Sequence, residues 1–172
     1  MIITYMHIIQ KMGVDIVKVG IGQDSHRFDF DDSSKKLVLG GITFEGHPPL
    51  AGNSDADVVL HSITNAISGV TGVNILGEIS DDLCFSKGIK NSEEYLFEAL
   101  KYLGDLKVVH ISVSIEGKTP KITPMIPAIR ARLCYLLAVE ENSVGITATS
   151  GEGLTDFGKG LGLQVISIVT VE

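Results

Sequence analysis

Asp24-Ser25-His26, with His61 further along the chain, is the set of side chains best suited to chemistry in this sequence. If 21–28 is extended, Asp24 and His26 share one face, because side chains alternate along a strand. His61 lies in a helical pattern, so a strand end and a helix can present one carboxylate and two imidazoles together. That trio suits a divalent metal, with one tetrahedral position left open for a substrate. A second stretch, 147–162, is rich in Gly, Thr and Ser and follows a strand pattern. Its glycines let backbone N–H groups approach a phosphate, and Thr149 and Ser150 add hydroxyl donors. Glu152 is a hard oxygen ligand suited to Mg2+ or Mn2+. Lys118-Thr-Pro-Lys121 offers two cations in a turn. Gly153-xxxx-Gly158-Lys159 falls short of a P-loop, because Gly160 stands where a hydroxyl should hold Mg2+ and a strand follows where a helix is required. No Ser-His-Asp or Cys-His pair can be assembled.

β-Branched runs at 17–21, 37–42, 108–115, 144–149 and 163–171 read as strands, and helical patterns occupy 55–70, 92–103 and 124–139. This order predicts an α+β fold, a single-layer β-sheet with helices packed on one face. The last strand is rich in β-formers on both faces, which predicts burial on both sides, by helices or by another subunit. In the first helix Ser54 reads as the N-cap, and Val59, Ile63, Ala66, Ile67 and Val70 form the apolar stripe. Asp57, His61 and Asn65 form a separate polar stripe. Asp57, one turn before His61, is placed to receive its second ring N–H and fix the tautomer.

The 172 residues, 44% of them hydrophobic, suit one domain, with 1–16 as an N-terminal extension and 17–172 as the folded unit. No apolar run is long enough to span a bilayer, and the start lacks a cleavage-site pattern, so neither membrane nor secretion is expected. A net charge of −7 argues against nucleic acid. It also means that a phosphorylated substrate needs local positive charge, which metal ions supply. Cys84 and Cys134 show no CxxC spacing and read as reduced, structural thiols of a cytoplasmic protein.

Four segments then occur in a familiar order: Gln23-Asp-Ser-His-Arg-Phe28, Gly52-Asn-Ser-Asp-Ala-Asp-Val-Val-Leu-His61, Pro120-Lys121 and Thr147-Ala-Thr-Ser-Gly-Glu-Gly-Leu154. Over about residues 17–171 the chain resembles the 2-C-methyl-D-erythritol 2,4-cyclodiphosphate synthase family of the non-mevalonate isoprenoid pathway. The resemblance implies a homotrimer with active sites between subunits, acting on 4-diphosphocytidyl-2-C-methyl-D-erythritol 2-phosphate and releasing CMP. It implies Zn2+ on Asp24, His26 and His61, and Mg2+ or Mn2+ on Glu152. Thr149 and Ser150 would contact phosphate, Ser150 at a transition-state-stabilising position. The turn 117–121 with Ala148 would form the cytosine pocket, where Lys121 reads the base, and Glu78 would take the ribose-binding place. Ser25, Ser54, Lys118, Pro120, Gly151 and Lys159 complete the expected substrate contacts.

The sequence also departs from that family's pattern. Asn53 replaces a usual His; it can donate a hydrogen bond but carries no positive charge. Asn65 replaces an Asp on the helix, and Lys159 replaces an Arg and loses the bidentate fork. Asp156 stands at an aromatic position and Leu161 replaces a Glu, while 77–90 lacks the usual Phe-Pro-Asp loop. The metal ligands are retained, which reads as a divergent active enzyme. Two other readings use the same residues: a metal-dependent phosphohydrolase, and a catalytically weak homologue that still binds cytidine nucleotides.

Overall fold

Strand β1 (Lys18–Arg27) runs through the Asp-Ser-His motif, well past the 17–21 run that announces it. Gly20, Gly22, Asp24 and His26 share its inner face, while Val19, Ile21, Gln23, Ser25 and Arg27 are exposed. The computed structural model describes residues 16–172, so the expected extension at 1–16 lies outside the described residues but for its last position. The run at 37–42 is not one strand. It folds into a hairpin, β2 (Leu37–Leu39) and β3 (Ile42–Phe44), because Gly40 and Gly41 both take positive φ, 60° and 74°, and turn the chain.

The remaining elements are α1 (Val58–Thr71), α2 (Ser92–Lys101), β4 (Val108–Glu116), α3 (Ile126–Leu137), β5 (Val144–Thr149), α4 (Asp156–Lys159) and β6 (Gly162–Val171). The main sheet has the order β1-β6-β4-β5, antiparallel except for the parallel β4/β5 pair. The fold is therefore α+β with a mixed sheet. One face of the sheet (Ile111, Val113, Ile115, Val165, Val169) joins Leu60, Ile63 and Ile67 of α1, Leu96 of α2 and Ile129 and Leu133 of α3 in one buried core. Each such side chain stabilises the fold by about 1.5–3 kcal/mol relative to exposure.

Among the described residues of the single chain nothing covers the other face. Ile21 pairs in register with Ile168 across β1 and β6. Val19, Ile21, Ile166 and Ile168 remain 63, 68, 40 and 40% exposed. The expected double burial of β6 is not met by helices.

Helix α1 begins at Val58, not near residue 55. Ala56 has φ 55°, which breaks the helical run, and Asp57, not Ser54, is the N-cap. The buried Asp57 carboxylate accepts from Val59 and Leu60 N–H at 3.1 Å each, and from Gly40 and Gly41 N–H at 2.8 and 2.7 Å. It thus clamps the hairpin turn to the helix start. Burial pushes its pKa up to about 6, against the pull of these N–H groups. Asp57→Asn is expected to destabilise the fold by about 3 kcal/mol, because an amide has one acceptor oxygen and turns its NH2 toward other donors. Chemical denaturation checks this, and a loss below about 1 kcal/mol would remove the clamp from the account.

Glycines decide how near α1 lies to β1. A Cβ on Gly20 would fall 2.0 Å from the Ala66 carbonyl oxygen, and one on Gly22 would fall 2.0 Å from that of Ser62. Here the Ser62 hydroxyl meets the Ser167 hydroxyl of β6 at 2.6 Å and donates to the Val59 carbonyl at 2.8 Å, so the close seam keeps its polar groups paired.

Candidate active site

The inner face of β1 ends in Asp24 and His26, and α1 lies close enough to bring His61 against them. Asp24 Oδ2 is 3.0 Å from His26 Nε2 and 3.0 Å from His61 Nδ1. One ligand atom from each residue lies within 4.8 Å of the other two. A tetrahedral zinc with bonds of ~2.0–2.1 Å holds its ligand atoms ~3.3 Å apart, so the spacing fits.

The hydrogen bonds behind the rings sharpen that fit. His26 Nδ1 lies 2.7 Å from the Ala51 carbonyl oxygen, which can only accept, so the proton sits on Nδ1 and Nε2 faces Asp24 with a lone pair. His61 Nε2 is engaged by the Ser92 hydroxyl at 2.8 Å, leaving Nδ1 for Asp24. An imidazole lone pair aimed at a carboxylate oxygen calls for a cation or a proton between them. When either imidazole is protonated it can instead donate to Asp24. Burial opposes the charge on Asp24, but such bonds from His26 and His61 outweigh it and hold the carboxyl well below the usual range, and the same bond raises the His26 pKa.

The expected link between Asp57 and His61 is corrected here. Asp57 spends its carboxylate on backbone N–H groups, and Ser92, at the start of α2, takes the second His61 nitrogen. The stripe of Asp57 and His61 is also not a solvent face, since both are buried. Asn65, the third member, donates its amide to the Gln23 carbonyl at 3.0 Å.

A cavity of about 320 Å3 opens above the trio, lined by Asn53, Ser54, Asn65, Leu76, Ser80, Asp81, Cys84 and Tyr95. Asn53 and Ser54 are therefore beside the Asp24, His26 and His61 trio. Ser25 is not, because it points to the opposite face of β1. Glu78 also falls elsewhere, in a hollow with Ile79, Asp82, Leu83, Lys87 and Glu98. Between the π-helical turns Ile75–Ile79 and Asp82–Ser86, Ser80 and Asp81 line the cavity instead.

Sequence reasoning missed Ser80, Asp81 and Tyr95, which carry no spacing signal relative to the trio. It also missed Lys35, whose ammonium donates to the Leu50, Gly52 and Ser54 carbonyls at 3.1, 2.9 and 3.3 Å. That clasp holds the segment whose Ala51 carbonyl orients His26.

The second expected group gathers at the ends of β4 and β5. Lys118, Pro120, Lys121, Ala148, Thr149 and Ser150 line one hollow, which shares no lining residue with the metal cavity of the same chain. Ser150 has helical φ and ψ of −79° and −9°, and Gly151 follows with φ 67°, an alternation that turns successive N–H groups to one side. Glu152 and Lys159 are exposed, and Lys159 pairs with Asp156 at 3.1 Å. The Thr155 hydroxyl donates to Glu116 and accepts from Gly158 N–H, fixing this loop to the end of β4.

A match to the YgbB family runs over residues 17–172. A relative from Chlamydia caviae, named 2-C-methyl-D-erythritol 2,4-cyclodiphosphate synthase, is 48% identical over 157 residues, covering 91% of this chain and 89% of its own length. One of the same name from Chlamydia muridarum is 50% identical, covering 91% and 88%. Among solved structures, the bifunctional IspDF from Campylobacter jejuni matches with a TM-score of 0.80 at 28% identity, over 91% of this chain and 42% of that one. A 2C-methyl-D-erythritol-2,4-cyclodiphosphate synthase in its CDP-bound form matches with a TM-score of 0.74 at 25% identity, over 90% and 100%. By sequence over nearly its whole described length, and by fold, this chain belongs to the YgbB family, that of the 2-C-methyl-D-erythritol 2,4-cyclodiphosphate synthases.

Proposed function

We propose that the chain cyclises 4-diphosphocytidyl-2-C-methyl-D-erythritol 2-phosphate to 2-C-methyl-D-erythritol 2,4-cyclodiphosphate. The observation that carries this reading is the convergence of Asp24, His26 and His61 in a member of this family. An oxygen of the 2-phosphate attacks the β-phosphorus, the bond from that phosphorus to the bridging oxygen breaks, and CMP leaves with the electron pair. Attacking and leaving groups belong to one molecule, so much of the catalysis is holding it in line. No protein nucleophile is required.

In this reading Asp24, His26 and His61 hold Zn2+ and Glu152 helps to hold Mg2+ or Mn2+, ions that supply positive charge to the phosphate oxygens. The backbone N–H groups around Ser150 and Gly151, with the Thr149 and Ser150 hydroxyls, bind phosphate, and Ser150 donates to charge that grows at phosphorus. Asn53, at the lip of the metal cavity, donates a hydrogen bond to a substrate oxygen, with Ser54 beside it. Lys118, Pro120, Lys121 and Ala148 receive the cytosine, and Lys159 offers a point charge near the diphosphate. Ser25 and Glu78 lie away from the metal cavity of the same chain and are kept as substrate contacts, Glu78 at the ribose.

The active site is proposed to form between subunits of a homotrimer. Two observations support this: the metal cavity and the Lys121 hollow are separate within one chain, and the sheet exposes Val19, Ile21, Ile166 and Ile168 together. An exposed apolar patch on a sheet is the usual mark of an interface. Ile168→Lys is expected to shift the sedimenting species from trimer to monomer; a monomeric wild type would contradict the assembly. The free thiols of Cys84 and Cys134 suit a reducing cytoplasm.

Incubation with the CDP-linked substrate and analysis by phosphorus NMR tests the activity. Equal amounts of CMP and cyclic diphosphate are expected. Release of inorganic phosphate would favour a hydrolase, and binding without turnover would favour a nucleotide-binding homologue.

A further inference from the structure

We propose that Asp55 and Ser92 are positioning residues that dictate which nitrogen of His61 is offered to the metal. The inference rests on the metal reading above and deepens it. Asp55 Oδ2 accepts from the Ser92 backbone N–H at 3.1 Å, and its Oδ1 lies against the Ser92 hydroxyl. The same hydroxyl is 2.8 Å from His61 Nε2.

The direction of this chain follows from what each group can donate. An ionised carboxylate only accepts, so the single hydroxyl proton of Ser92 is committed to Asp55. Ser92 then meets Nε2 with a lone pair, and Nε2 must carry a proton. Nδ1 is left with its own lone pair, directed toward the metal position beside Asp24 Oδ2, which lies 3.0 Å away. Asp55 sits at the N-terminal end of α2, where it accepts from the backbone N–H and the hydroxyl of that helix's first residue. Its own N–H donates to the Lys90 carbonyl at 2.9 Å, which ties it to the same segment.

The link lies away from bulk solvent. Ser92 is fully buried and His61 is 7% exposed, with the Tyr95 ring centroid 6.0 Å from the imidazole. Without the hydroxyl, Asp24 faces no opposition and draws the His61 proton onto Nδ1, the nitrogen the metal needs. A ligating histidine held by its second nitrogen gains about 10–100-fold in metal affinity, and that is the effect at stake.

Ser92→Ala keeps the Asn91 cap of α2, whose side chain accepts from Glu93 N–H. Asp55→Asn is the second variant. Ser92 N–H fixes the amide oxygen on its own side, so the NH2 group faces the hydroxyl and releases the serine proton toward Nε2. Both variants are expected to bind Zn2+ about 10–100-fold more weakly than wild type in a chelator competition. In the zinc-free full-length protein, nitrogen-15 NMR of labelled histidine, above the imidazole titration range, is expected to find the His61 proton on Nε2 in wild type. In Ser92→Ala it is expected on Nδ1. Wild-type affinity in both variants, with the proton still on Nε2, would overturn the inference while leaving the metal site intact. Failure of the wild type itself to bind Zn2+ would overturn the metal reading, and this inference with it.

Discussion

His61→Ala is expected to abolish zinc binding and cyclisation together. With apparent zinc free energies of roughly 10–16 kcal/mol in folded sites, each of three ligands carries about 4 kcal/mol, so one deletion weakens binding about 1000-fold. Asp24 and His26 remain 3.0 Å apart but supply only two of the three ligand atoms. Isothermal titration with Zn2+ and a turnover assay on the same sample give the two readouts. Turnover that survives while zinc is lost would separate the chemistry from the metal and refute the proposed role of the trio.

Gly22→Ala is expected to do comparable harm without touching a ligand. The added methyl would lie 2.0 Å from the Ser62 carbonyl oxygen and 2.3 Å from the Ala66 nitrogen, both backbone atoms that cannot swing aside. The helix must move off the strand, and His61 moves with it. Overpacking of this kind costs typically 1–3 kcal/mol, and the absence of any flexible neighbour puts this site at the upper end. For a domain of this size about 3 kcal/mol lowers Tm by ~10 °C. Zinc affinity is expected to fall at temperatures where the variant is still folded, since separation of α1 from β1 opens the distance between His61 and Asp24. Unchanged Tm and zinc affinity would mean that the seam adapts, and that the close approach is not what assembles the site.

Much of the site was legible because its chemistry is local in type even where it is remote in sequence. Asp24 and His26 alternate on a strand, and a period of two is enough to put them on one face. The loop after β5 was legible as a loop for the same reason, as its glycines and hydroxyls are consecutive. The partner of His61 was not. Asp57 stands one helical turn away and looks like the natural acceptor, but its carboxylate answers to Gly40 and Gly41, which no helical period connects to it. Ser92 reaches the ring because α2 packs on α1, a tertiary fact with no trace in spacing. The helix start was misread on similar grounds: Ser54 and Asp55 have the composition of a cap, and only the left-handed Ala56 shows why the helix waits for Asp57. That Glu78 lines a different hollow from the trio was not legible either, because the run 77–90 contains π-helical turns whose facing cannot be read from periodicity. The two exposed isoleucines of β6 show the opposite case, where apolar composition on both faces was plain but what covers the outer one was not.

The most direct measurement is anomalous diffraction at the zinc edge from crystals grown with Zn2+. The account predicts one strong peak within ~2.0–2.2 Å of Asp24 Oδ2, His26 Nε2 and His61 Nδ1, with the fourth direction open to the cavity. Zinc bound elsewhere, or on the other nitrogen of either ring, would contradict it.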